Sequence, residues 1–299
     1  MYIITHRTIF YTISGILIAA SVSALALWDL NLGIDFKGGA LLEVSYVDTI
    51  PEKADIEKIL TPIDAYASVR PVGEVGYLIR LREITEDEHI ALLTSLSFGG
   101  AHAATEVRFD SIGPLLGKEA ALKSLLAIAL VIICIVLFIT YAFRKVSEPV
   151  SSWKYGIITI VALLHDVLIP VGVFAYLGHF AGVEIDTLFV TALLVVLGFS
   201  VHDTIVVFDR VRENLRLNHT EHLQKPFEQV VGEGISATLG RSINTSLTTI
   251  IALIVLYFIG PVSTQYFSLA LIIGIIAGTY SSICIASPLL VTVEKRQTR

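Results

Sequence analysis

The sequence predicts an α-helical polytopic membrane protein: six transmembrane helices, with one external α+β domain between helices 1 and 2. Three observations carry that prediction. The chain is 54% hydrophobic and 16% charged, with a mean hydropathy of +0.75, whereas soluble domains run at about 25% charged. Six apolar segments reach the roughly 20 residues needed to cross a bilayer; they lie near 8–28, 121–143, 155–178, 185–208, 242–260 and 266–292. Between the first two, residues 29–118 hold most of the excess negative charge behind the net −6. That charge balance points to no nucleic-acid partner, and the lipid bilayer is the expected surrounding.

The chain therefore divides into three parts. Residues 1–28 form a cytoplasmic N-terminus and span one, residues 29–118 the external domain, and residues 119–299 a five-helix membrane domain. Ala24-Leu25-Ala26 imitates a signal-peptide cleavage site. The apolar run before it exceeds the roughly 7–15 residues of such a peptide, so span one is read as retained. Lys and Arg accumulate on cytoplasmic links. Arg144, Lys145 and Lys154 follow span two, Arg210, Arg212, Arg216, Lys225 and Arg241 follow span four, and Lys295, Arg296 and Arg299 close the chain. The links 179–186 and 260–265 carry no Lys or Arg. Both termini are then cytoplasmic, residues 29–118 periplasmic, and a bacterial inner membrane the expected location. Cys134 and Cys284 sit in apolar runs and read as packing residues.

The external domain reads element by element. Leu41 to Val47 alternates apolar and polar residues as a strand does, and Pro51 to Leu60 opens on a proline and acids as a helix does. Ala67 to Val72 and Tyr77 to Arg82 are strand-like runs around a turn containing Gly73 and Gly76. Thr85-Glu86-Asp87-Glu88 is a capping-box pattern leading into a helix through Leu96, and Thr105 to Ile112 is a last strand. The order βαββαβ is the ferredoxin-like arrangement. No catalytic set, metal cluster or cofactor motif stands out in it. His89 and His102 read as isolated surface residues, and Gly38-Gly39 as a turn into the first strand.

Function is expected from charges inside the membrane. A charge at membrane depth costs at least about 2.5–3.5 kcal/mol and marks a candidate site. Asp203 is placed about five residues, or roughly 7–8 Å, from the cytoplasmic end of span four. Arg241 opens span five from the same side. Pairing lowers the cost of both charges, and separation favours protonation of the carboxylate, so the pair reads as an ion relay or as a static salt bridge. Asp166 is placed near the midplane of span three, roughly 18 Å deep. Pro170, four residues on, frees the Asp166 carbonyl. Asp166 joins the relay or locks two helices as a hydrogen-bonded acid. His165 and His202 are assigned packing roles, because adjacent helical residues diverge by about 100°. Asn244, Thr245, Thr248 and Thr249 extend one polar stripe from Arg241 that should face other helices or water. Gly274 and Gly278 make a small-xxx-small packing face on span six. Residues 209–240 read as a cytoplasmic, partly amphipathic surface segment, with Asp209 and Arg210 bracing the membrane exit.

Taken together, these motifs resemble the SecD/SecF family of protein-export membrane proteins, within the resistance-nodulation-division superfamily. The likeness is carried by Gly33 to Gly39, Ala162-Leu163-Leu164-His165-Asp166-Val167, Gly198 to Asn214, Gly240 to Thr249, and Ala277 to Pro288. Lys37 and His202 depart from it, standing where Thr and Asn are commoner. The resemblance implies an auxiliary subunit acting with SecD and the SecYEG channel on unfolded secretory polypeptides, driven by a proton or sodium gradient. It maps the family's charged transport residues onto Asp203 and Arg241. Six spans in a superfamily usually built from twelve imply a partner. Two other readings compete. An intramembrane aspartyl protease also needs two Asp, but the Gly-x-Gly-Asp sequence is absent and the two depths differ by roughly 10 Å. A structural subunit without its own ion path would use the same residues for packing alone.

Overall fold

The computed structural model describes residues 2–47, 50–73, 75–144 and 151–297. Lys145 and Arg299, two of the basic residues used for orientation, lie outside these. The chain divides into two units, one made of residues 1–31 and 126–299, the other of residues 32–125.

The first unit opens with α1 (Tyr2–Thr5) and α2 (Arg7–Trp28). The second contains α3 (Ile34–Lys37), β1 (Gly39–Tyr46), α4 (Lys53–Leu60), β2 (Ser68–Val72), β3 (Gly76–Leu81), α5 (Glu86–Leu96) and β4 (Ala104–Ile112). The sheet order is β2-β3-β1-β4, with every neighbouring pair antiparallel, so the expected βαββαβ order is present. Alternation along β1 sends Ala40, Leu42, Val44 and Tyr46 to one face, where they pack with Ile79 of β3, Ile56 and Leu60 of α4, and Leu92 and Leu96 of α5. Gly38 and Gly39 have φ of +80° and +129°, a region that suits only glycine. A Cβ on Gly38 would also lie 2.6 Å from the Pro114 Cα, so this corner is held tightly against the following helix.

The capping box forms as expected. Thr85 N donates to Glu88 Oε2 at 2.9 Å, and Glu88 N donates to Thr85 Oγ1 at 3.4 Å. Arg82 donates to the same carboxylate, and these bonds pull Glu88 down to about 2. A carboxyl depressed below its unfolded value of about 4.3 stabilises the fold above that value and loses this contribution as pH falls. Acidification from about pH 4.3 toward pH 2 is therefore expected to loosen the start of α5. Amide exchange along α5, corrected for intrinsic rates, reads the effect, and Glu88→Gln should abolish its pH dependence.

One expectation for this unit is overturned. His89 is not a surface residue: its ring is buried, stacked on Phe109 with centroids 3.7 Å apart, and Nε2 lies 2.9 Å from Glu106. Its position on the inner face of α5, opposite β4, decides this, and sequence spacing did not register it.

The rest of the chain is helical: α6 (Pro114–Ala142), α7 (Ser152–Ala181), α8 (Thr187–Thr220), α9 (Phe227–Ile259), α10 (Val262–Ser281), a π turn (Ser282–Ala286) and α11 (Ser287–Gln297). Six helices, the last combining α10, the π turn and α11, are long and apolar enough to cross a membrane. α6 already begins at Pro114, so residues 114–118 are helical. The π turn has a cause in the sequence. Pro288 lacks the N–H that the Cys284 carbonyl would accept, and the Ser287 hydroxyl donates instead to the Ser282 carbonyl at 2.9 Å. The small-xxx-small face packs as expected: a Cβ on Gly278 would lie 2.9 Å from Ser200 Cβ, and one on Gly274 2.2 Å from Val196 Cγ2.

Residues 209–240 do not form a surface segment. They continue α8 to Thr220 and α9 from Phe227, leaving a link of residues 221–226. The apolar stripe runs on through Val207 and Val211, which bury against Val231 and Ile235 together with Ile4 and Val291. Hydropathy alone ended the helices too early, because the charges on the outer face masked this inner stripe. Asp209 and Arg210 pair within α8 with Arg212 and Glu213.

Candidate functional site

Asp166 stands at the middle of α7 and Asp203 at the middle of α8. Both are buried. Asp166 is enclosed by donors from three directions. Its Oδ2 accepts from Ser200 Oγ of α8 at 2.5 Å and from Ser281 Oγ of α10 at 2.8 Å. Its Oδ1 lies 2.9 Å from His165 Nδ1. One side chain thus ties three helices, and α7 runs unbroken through Pro170 while it does so. His165 is not a packing residue pointing away from its neighbour. It turns back onto the Asp166 carboxylate and stacks on Tyr280, with ring centroids 5.9 Å apart.

Asp203 Oδ1 accepts from Ser242 Oγ of α9 at 2.5 Å, and its buried Oδ2 has no partner. Among the described residues no ion pair joins Asp203 to Arg241. The hydroxyl of the next residue along α9, Ser242, occupies that place, while Arg241 is exposed. The expected pairing is corrected accordingly. The stripe that follows it faces outward from this chain. Asn244, Thr245 and Thr248 are exposed on this chain, and the Thr248 and Thr249 hydroxyls bond the Thr245 carbonyl of their own helix. The inward polar residues of α9 are Thr238, Ser242 and Ser246, the last 2.5 Å from Thr279 Oγ1. Below Ser200, Thr204 Oγ1 and Ser282 Oγ meet at 2.7 Å across α8 and the π turn.

Sequence reading missed these serines because a lone Ser in an apolar helix is compatible with ordinary helix packing. A usable signal was present at Ser200, three residues before Asp203, and at Ser287-Pro288. Asp166 reaches Ser200, one helical turn before Asp203 on α8. No hydrogen bond joins the two carboxylates among the described residues; each has its own serine partners, unlike a dyad that shares one proton. Lys37 and His202 are both exposed.

Fold and site together define a class: a multi-pass helical membrane protein whose bundle carries buried, serine-bound carboxylates and whose first long helix leads into a βαββαβ domain. Comparison with known proteins narrows this. Residues 94–296 match the family described as protein export membrane protein SecD/SecF, C-terminal, and residues 30–50 match its GG motif. The chain belongs to the SecD/SecF family. It is 43% identical to the protein translocase subunit SecF of Thermobaculum terrenum, over 98% of this chain and 94% of that protein. It is 36% identical to that of Anaerolinea thermophila, over 99% and 95%. The crystal structure of SecDF, a translocon-associated membrane protein from Thermus thermophilus, superposes with a TM-score of 0.83 at 28% identity. That match covers 99% of this chain but 39% of the SecDF chain. SecDF in its super-membrane-facing form gives a TM-score of 0.66 at 28% identity, covering 96% and 38%.

Proposed function

We propose that this chain is an auxiliary subunit of the Sec protein-export machinery. It acts with SecD and the SecYEG channel to complete translocation of unfolded secretory polypeptides, using a proton or sodium gradient and no cofactor. In this reading it lies in the bacterial inner membrane with both termini cytoplasmic and the βαββαβ domain in the periplasm. The observation that carries the ion-coupled part is Asp203: a carboxylate at mid-helix with one oxygen held by Ser242 and the other buried and unpartnered. Such a group is open to a proton or cation, and its engagement with Ser242 sets how α8 meets α9. Ion uptake at Asp203 weakens that bond, and the two helices shift.

The partner is supported by the α9 stripe. Arg241, Asn244, Thr245 and Thr248 are exposed on a membrane-crossing helix, where lipid contact would be costly. A second membrane subunit covering them fits the solved SecDF chains, of which this chain spans 39% and 38%. Arg241 then serves Asp203 through the displaced Ser242, or a partner's group directly. The absence of an Asp203–Arg241 ion pair among the described residues favours a second reading, a structural or assembly subunit without its own ion path.

Export of a secretory protein into vesicles holding the reconstituted complex separates the two. With Asp203→Asn, the gradient-dependent part of export is expected to vanish while the complex still purifies intact. Unchanged gradient dependence would leave the structural reading.

A further inference from the structure

The two ring nitrogens of His165 face different surroundings. Nδ1 lies 2.9 Å from Asp166 Oδ1, whereas Nε2 is buried with no hydrogen-bond partner. Asp166 is 0% exposed and His165 1%. Asp166 takes two hydroxyls on Oδ2, from Ser200 and Ser281, and the ring nitrogen on Oδ1, so the donors around it are placed to serve an ionised carboxylate. With the carboxylate ionised, the ring proton sits on Nδ1 toward Asp166 and Nε2 presents a lone pair. This leaves a net charge of −1 inside the bundle. Among the described residues, no Lys or Arg forms an ion pair with Asp166. A buried charge without a counter-ion is costly, and the site relieves that cost by taking up a proton.

We propose that His165 and Asp166 form a proton-loading dyad, with the proton held at His165 Nε2 and the ring oriented by Asp166. Uptake adds the proton to the Nε2 lone pair and breaks none of the three bonds to Asp166. The cluster changes from −1 to neutral, with an imidazolium now facing the carboxylate. The groups packed around the ring suit this role. Asp166 comes from α7. Tyr280 of α10 stacks on the ring and donates its hydroxyl to the Phe10 carbonyl of α2, with Ser14 of α2 also bonded to it. Cys284 of the π turn lies in the same buried cluster that Tyr280 packs against. α8 contributes Ser200, and one turn further Asp203, which is engaged by Ser242. The inference rests on the ion-coupled reading above and identifies the ion at this position as a proton.

Two measurements on the whole chain in the same vesicles test it. The first is the ring ¹⁵N spectrum of histidine-labelled protein, with His165→Asn identifying the His165 signals. A neutral Nδ1–H ring that becomes doubly protonated when a proton gradient is imposed is expected. A ring that stays neutral throughout, or an Nε2–H tautomer, overturns the proposal. The second is gradient-driven export by His165→Asn, whose amide retains a donor toward Asp166 but cannot hold the proton. Loss of the gradient-dependent part is expected. Retention would make His165 a structural donor only and overturn the dyad. Asp203→Asn distinguishes the failures. Loss there with full activity in His165→Asn rejects the dyad and leaves the ion-coupled reading standing, whereas retention in both rejects both.

Discussion

Replacing Asp166 by alanine is expected to destabilise the helical unit by about 1–3 kcal/mol, taking roughly 0.6–1.7 kcal/mol for each of its two interhelical hydrogen bonds, to Ser200 and Ser281. Three donors lose their acceptor. Ser281 can fall back on the Gly278 carbonyl, 3.1 Å away, but Ser200 and His165 Nδ1 are left facing a void between α7, α8 and α10. Removing an uncompensated buried charge offsets part of the loss. Asp166→Asn keeps an acceptor for the serines while its amide opposes the His165 N–H, so a smaller loss is expected. Unfolding midpoints in mixed detergent micelles measure both. A wild-type midpoint for Asp166→Ala would show that the three helices are held together by apolar packing alone.

Gly172 gives the other large effect. A Cβ there would lie 2.4 Å from both Cα and Cβ of Ser21, so α2 and α7 touch backbone to backbone. Overpacking a core costs about 1–3 kcal/mol where side chains can yield. Here the obstacle includes a helix backbone, so Gly172→Ala is expected to cost about 3 kcal/mol or more, and Gly172→Leu to prevent accumulation in the membrane. Gly198 supplies the contrast. It is also mid-helix, but a Cβ there meets nothing within 4 Å. Gly198→Ala should be neutral or stabilising by up to about 1 kcal/mol, the ordinary helix preference. Membrane yield and unfolding midpoint compare the three variants. Equal behaviour of Gly172→Ala and Gly198→Ala would contradict the close α2–α7 approach.

Several structural features were readable from residues alone because they depend on local pattern. Period-two alternation in 41–47 and the Thr85–Glu88 box needed no long-range information. The turn at Gly38-Gly39 was also anticipated, although its clamp on Pro114 was not. The Gly274–Gly278 face was legible because small residues four apart lie on one side of a helix. Asp166 and Asp203 stood out as charges in apolar runs. What such patterns could not provide was the rotation of one helix against another. Ser242 and Arg241 are adjacent in sequence, yet the first faces Asp203 and the second faces outward. His165 and Asp166 are adjacent too, and a side-chain rotation brings the ring back onto the carboxylate. The 209–240 segment was misread for a related reason: its outer charges are local, whereas the inner stripe shows only when Val211 meets Val231 and Ile235.

By itself, then, the sequence determined that this chain crosses a membrane six times, carries a βαββαβ domain after its first long helix and places acids where hydrocarbon should be. These follow from transfer free energies and from periodicities of 2 and 3.6 residues, which act along the chain. Tertiary structure alone decided which hydroxyls bind each carboxylate, that the α9 stripe turns outward and that His165 Nε2 is buried without a hydrogen-bond partner. Those outcomes depend on the azimuth and depth at which helices meet, and these are set by packing between residues far apart in sequence.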